Sequence, residues 1–271
     1  MTSRGSAAVL TALVVCVLLS GCAVFEPSVT DPDPDRSTPD PEAVFEGAFV
    51  HAEDLEDVQG ERTTEVTNGS ETITEVDRVL ERPYVDYRSE VLESSEPDRV
   101  GDIYGSNASG SWWYDAASGT ASYYEAEERF DSDDVRSARA DEAERQLELY
   151  DLEYRGTERI ADREAHVLAV EAKNETVERG VSAIVGDTEY VYAIETSDPS
   201  DDLEAVEQTL WVDTEYEYPL KERVVFEEPD GERIVMTERF ESVRFNTGVD
   251  DERFAFDPPA NATIENSTPN D

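Results

Sequence analysis

The chain has 271 residues, and 66 Asp+Glu against 22 Lys+Arg give it a formal net charge of −44. Acids spread through every segment exclude charge-driven binding to nucleic acid or anionic lipid headgroups, while 38% hydrophobic residues are enough for a packed core. With Lys173 and Lys221 as its only lysines, the composition is that of an extreme halophile, kept soluble in molar salt where the Debye length falls to about 3 Å.

Residues 1–21 read as a signal peptide. Arg4 supplies its positive start, and Ala7 to Leu19 is apolar apart from Thr11. As a helix that stretch spans only about 20 Å, short of the bilayer core of about 30 Å. No Arg-Arg pair precedes it, which favours the general secretory route. Leu19-Ser20-Gly21-Cys22 resembles the lipobox of prokaryotic lipoproteins. The resemblance implies cleavage after Gly21 and a lipid on Cys22, so that the membrane is a partner through that anchor. Cys16 lies inside the signal, leaving Cys22 as the one cysteine of the processed chain and excluding an internal disulfide or Cys-ligated metal.

Residues 22–40 form a tether in which alternating Pro and Asp favour extended, self-repelling backbone reaching about 50 Å. Asp31, Asp33, Asp35 and Glu42 have calcium-loop spacing, but Arg36 stands where the loop needs glycine, so no metal is assigned. Asp40 as cap and Pro41 at the first position start an amphipathic helix of about four turns, from Val44 to Leu55. Strands follow. Thr63 to Leu80 is a hairpin turning at Asn68-Gly69, Tyr84 to Leu92 alternates, and Trp112-Trp113-Tyr114 pairs with Ala121 to Tyr124. A second helix is expected over Asp133 to Leu149. Strands resume at Tyr150 to Ile160, Ala165 to Ala172, Glu189 to Glu195, Thr209 to Asp213, Leu220 to Glu227 and Glu232 to Phe240. Residues 41–260 show no composition break and are expected to form one domain, with 261–271 a disordered tail. So many consecutive strands joined by tight turns require an antiparallel sheet, and the class is α+β.

Four stretches carry a resemblance: Arg82-Pro83-Tyr84-Val85-Asp86-Tyr87-Arg88; Ser106-Asn107-Ala108-Ser109-Gly110 through Trp112-Trp113-Tyr114-Asp115; Tyr154-Arg155-Gly156-Thr157-Glu158 through Ala165-His166-Val167-Leu168; and Leu210-Trp211-Val212-Asp213 through Phe254-Ala255-Phe256-Asp257-Pro258-Pro259. In order and spacing they resemble the periplasmic lipoprotein-carrier (LolA-type) superfamily. Asp162 stands where that family has glycine, and His166 where it has an aromatic. The resemblance implies a strongly curved antiparallel sheet, a half-open β-barrel with helices covering its concave face, that holds acyl or isoprenoid chains. The family's shuttle between two membranes does not carry over to a tethered, haloarchaeal-type surface protein.

Three period-2 sets either line such a cavity or fill a dry core: Tyr190, Tyr192 and Ile194; Leu220, Val224 and Phe226; Ile234, Met236 and Phe240. Catalytic chemistry is not expected. His51 and His166 stand 115 positions apart, and no metal-binding spacing, phosphate loop, dinucleotide motif or nucleophile elbow occurs, so no cofactor is assigned. Five exported Asn-x-Ser/Thr sequons, at Asn68, Asn107, Asn174, Asn261 and Asn266, are candidates for glycosylation, with Asn68 and Asn107 preferred because they sit at expected hairpin turns. The expected function is a lipid-anchored protein on the extracytoplasmic face of the membrane that binds or transfers a lipidic or apolar ligand. The alternative is a structural or sensory surface module that meets a protein partner through the same sheet.

Overall fold

The structure, a computed structural model, describes residues 38–126, 128–173, 204–227, 231–255 and 257–267. Tyr190, Tyr192, Ile194 and Asn174, like Cys22 and the tether up to residue 37, lie outside the described residues. Residues from Pro39 onward make up one compact unit.

Helix α1 (Pro41–Val50) starts as its sequence dictates, with the Asp40 carboxylate accepting from the backbone N–H of Glu42. It ends five residues before Leu55, because His51 takes φ 52° and leaves the helical path. Leu55 thereby joins a different apolar cluster from Val44, Phe45, Ala48 and Phe49. Among the described residues twelve strands follow: β1 (Val58–Asn68), β2 (Glu71–Arg82), β3 (Asp86–Ser94), β4 (Ile103–Asn107), β5 (Gly110–Asp115), β6 (Thr120–Glu125), β7 (Tyr150–Ile160), β8 (Arg163–Ala172), β9 (Glu204–Asp213), β10 (Pro219–Glu227), β11 (Arg233–Phe245) and β12 (Thr263–Ser267). Helix α2 (Ser132–Leu149) sits between β6 and β7, capped by Asp131.

All twelve strands form one sheet in the order β12-β6-β5-β4-β3-β2-β1-β11-β10-β9-β8-β7, antiparallel throughout except where β12 runs parallel to β6. Strand β12 occupies part of the expected disordered tail: polar as it is, residues 263–267 find their backbone partners on the otherwise open edge of β6. Residue pattern alone did not give strand β4, since Gly105 weakens its strand character, although the resemblance implied a hairpin from Ser106. Trp112 compensates from β5; its ring lies where a Cβ on Gly105 would fall 2.1 Å from it. The β1–β2 turn consists of Gly69 and Ser70, with Gly69 at φ 53° in the first central position, as a type II′ turn requires.

The sheet is strongly curved and open. In a flat sheet three strand spacings, about 14 Å, would separate β10 from β2. Yet Tyr218, just before β10, donates its O–H to Glu81 of β2 at 2.6 Å. Cross-strand partners share a face, and register places Leu168, Val170, Leu210 and Val212 on the concave one. Helix α1 packs there through Val44, Phe45, Ala48 and Phe49, joined by Ala143 of α2. Phe45, Leu168 and Leu210 are fully buried, each worth about 1.5–3 kcal/mol in removal from water. The helices thus cover the β7–β9 end of the concave face and leave the β11–β5 end to a groove.

Candidate ligand-binding groove

Register builds the groove in transverse rows. Val224 of β10, Met236 of β11, Val66 of β1 and Ile73 of β2 pair successively and make an apolar row near the hairpin tips. The next row inward is polar: Glu222, Glu238, Thr64 and Glu75. Arg62 opposite Asp77, and Asp77 opposite Val91, continue it. Ser89, Tyr104 and Trp113 on β3, β4 and β5 form the far wall. These rows enclose a cavity of about 330 Å³, within the size range of small-ligand sites.

Its floor is ion-paired. Arg62 Nη1 lies 3.1 Å from Glu238 Oε1, Arg62 Nη2 donates to the Tyr87 hydroxyl at 3.2 Å, and Thr64 Oγ1 donates to Glu238 Oε2 at 3.4 Å. On the other side Arg99 lies 3.4 Å from Glu75 and 3.1 Å from Asp102, whose second oxygen accepts the N–H of Ala116. The aromatic wall runs Tyr87, Tyr104, Trp113, with ring centroids 5.9 and 6.1 Å apart. Arg99 sits over Trp113 at 5.7 Å. Burial pushes the Asp77 carboxyl up, against the opposing charges of Arg62 and Arg99. Glu75 is also raised, by burial first and then by the charge of Asp77.

The expected lining residues divide accordingly. Met236 lines the groove; Val224, Phe226 and Ile234 lie on the same face in its row and the next, the first two buried and Ile234 half-buried. Leu220 and Phe240 are buried among Val58, Tyr218 and Val243, in core rather than cavity. The centre of the groove is polar, carrying Arg62, Asp77 and Glu238, none of which the sequence reading named as lining. The signal for it was present as inward, period-2 positions 62 and 64 before Val66, and 75 and 77 before Val79, filled by polar residues. Only the register showed that they face the concavity.

The histidines lie apart from the groove. His51 is buried between α1, α2 and Tyr218; Arg139 donates to its Nε2 at 3.1 Å, which leaves its Nδ1–H toward the Glu217 carbonyl at 3.4 Å. His166 pairs with the Tyr154 hydroxyl at 3.2 Å. Among the described residues no group of His, Cys, Asp and Glu has metal-site geometry, and no helix is long and apolar enough to cross a membrane.

No protein-family model matches the sequence, and no curated protein matches it. Among solved structures the chain is similar to the lipoprotein LppX of Mycobacterium tuberculosis, at 13% identity over 79% of this chain and 99% of that one, with a TM-score of 0.44. It is similar to a LolA superfamily protein of Nitrosomonas europaea at 12% identity over 81% of this chain and 99% of that one, TM-score 0.37. A third similarity is to a chain of the MucA/MucB complex of Pseudomonas aeruginosa, at 12% identity, 79% of this chain, 59% of that one and TM-score 0.43. At these identities the likeness is one of fold.

Proposed function

We propose that the chain is an extracytoplasmic lipoprotein, held to the membrane through Cys22, whose concave groove binds or hands on a ligand with an apolar part. The observation that carries this reading is the groove itself: a curved sheet whose helices cover one end of the concave face and leave a cavity at the other. An apolar row, Val224–Met236–Val66–Ile73, flanks it on one side and an aromatic wall on the other. Each 100 Å² of apolar ligand surface laid there contributes about 2.5 kcal/mol. The tether gives the groove about 50 Å of reach from the bilayer, enough to meet lipid or a neighbouring surface protein without leaving the membrane.

The test is native mass spectrometry with lipid extraction on protein purified in molar KCl from its own membrane. A co-purifying lipid or other apolar molecule, displaced in a Met236→Arg variant that fills the groove with charge, is the expected result. An empty groove together with one stoichiometric protein partner in crosslinked cells overturns it in favour of a partner-binding module.

A further inference from the structure

The carboxylates of the groove are not equivalent. Glu238, Glu75 and Asp102 each lie against a guanidinium, Arg62 for the first and Arg99 for the other two. Asp77 is 6% exposed and lines the cavity, and its carboxylate makes no hydrogen bond or ion pair among the described residues. Its register partner Arg62 is directed to Glu238 and the Tyr87 hydroxyl instead, and acts on Asp77 only through space. Four carboxylates thus face two guanidiniums around the cavity, and the surplus falls on the carboxylate whose hydrogen-bonding capacity is unused. A buried carboxylate in that state is costly unless a donor reaches it. The wall beyond it carries the rings of Tyr104 and Trp113, the second already under the Arg99 guanidinium at 5.7 Å, and gives an aromatic surface along which a carbon chain can lie.

We propose that Asp77 anchors a positively charged nitrogen of the ligand, so that the groove selects an amine-bearing amphiphile: an ammonium on Asp77, with its carbon chain along Trp113, Tyr104 and Met236. This rests on the ligand-binding reading and gives its ligand a chemical class. Anionic and sugar-headed amphiphiles are disfavoured, the first by net negative charge and the second because it leaves the Asp77 charge uncompensated.

The experiment titrates the full chain, carrying Cys22→Ser to keep it free of lipid, in molar KCl so that the overall charge is screened. Tryptophan fluorescence reports binding of n-octylammonium, n-octyl glucoside, octanoate and ethylammonium. Octylammonium is expected to bind at least about tenfold tighter than the other three, the gain a single desolvated charge pair supplies. Asp77→Asn is expected to abolish that preference, and Asp134→Asn, on the exposed side of α2, to keep it. Carboxyl NMR of the unsubstituted protein supplies a readout independent of the variant's folding: octylammonium is expected to lower the Asp77 titration midpoint by about one unit or more. Preference retained in Asp77→Asn, ethylammonium binding as well as octylammonium, or an unmoved midpoint overturns the proposal. Glucoside binding as tightly as octylammonium overturns it while leaving the apolar-ligand reading in place, and binding of none of the four overturns both.

Discussion

Arg163 and Asp213 meet through two parallel hydrogen bonds, Nε to Oδ2 at 2.7 Å and Nη2 to Oδ1 at 2.8 Å, with the carboxylate fully buried. Asp213 closes β9, and its Oδ1 also accepts the backbone N–H groups of Glu215 and Tyr216, so one side chain holds the turn that feeds β10. The guanidinium lies over the rings of Phe245 and Tyr216 at 4.9 and 5.3 Å, and the hydrogen bonds to Asp213 raise its pKa further. Asp213→Ala leaves the turn donors unpaired and the guanidinium held only by the exposed Glu215, and should lower the unfolding free energy by about 3 kcal/mol. Glu215 touches the same guanidinium at 2.9 Å from a largely exposed position, and Glu215→Ala should cost under about 1 kcal/mol. Urea unfolding at one fixed KCl concentration measures both; equal losses would contradict this division.

His51 makes stability depend on pH. Burial holds its ring neutral with the pKa lowered to about 3, and the Arg139 charge presses the same way. In the unfolded chain the ring protonates near its ordinary value of about 6.5. Between these values the unfolded state binds the extra proton, so stability is lost as pH falls, by up to about 1.4 kcal/mol per unit. His51→Gln takes up no proton and should show a shallower decline in thermal stability from pH 6.5 toward 4. An equally steep decline in both proteins would remove His51 from the account.

Much of this fold was legible from residue pattern because local and global preferences agree. The β1–β2 turn at Gly69, the β5–β6 hairpin and the capped start of α1 each follow from a short-range rule. Where tertiary contacts outvote local pattern, the sequence reading missed. His51 breaks α1 to bury its ring, Trp112 rescues the glycine of β4, and β12 exists only because β6 offers an edge. The groove was harder still. Whether Arg62 and Asp77 face the concavity or solvent depends on register, which a one-residue slip would invert.

Charge predicts a response to salt. Helix α2 alone exposes Asp133, Asp134, Asp141, Glu144 and Glu148, an arrangement that self-repulsion loosens in dilute buffer. Salt also weakens exposed ion pairs such as Arg233–Glu227, but each of those contributes at most about 1 kcal/mol, whereas the net charge is −44. The melting temperature should therefore climb as KCl rises from about 0.1 M to several molar, as the Debye length shortens below about 10 Å. A flat or falling curve would contradict the halophile reading.

Removing the Cys22 thiol tests the proposed lipid anchor. In Cys22→Ser the thiol that would carry the lipid is gone, and the protein should move from the membrane fraction to the medium or accumulate as the unprocessed precursor. Fractionation and gel mobility of the two forms in the native host are the measurement. An unchanged membrane fraction at unchanged mobility would show that something other than Cys22 holds the chain.

Local geometry ranks the glycosylation candidates, which the sequence left as near equals with a preference for Asn68 and Asn107. Asn68 is exposed where β1 ends at its turn, and Asn261 is exposed ahead of β12. Both present an amide that an oligosaccharyltransferase can reach. Asn107 is half-buried, and its Oδ1 accepts the Ser109 N–H at 2.8 Å, closing the β4–β5 turn. That bond leaves the Nδ2 that would carry the glycan unused, so it is the half-burial of Asn107 that sets it behind the exposed sites. Asn266 lies within β12, paired with Tyr123 of β6, instead of in a free tail, so its backbone must leave the sheet edge to enter an enzyme. Occupancy should therefore fall in the order Asn68 and Asn261 first, Asn107 and Asn266 after. Glycopeptide mass analysis of protein from its own host measures this. Glycan on Asn107 with Asn68 bare would contradict the ranking, and five bare asparagines would mean that the sequons arose by chance from a chain rich in Ser and Thr.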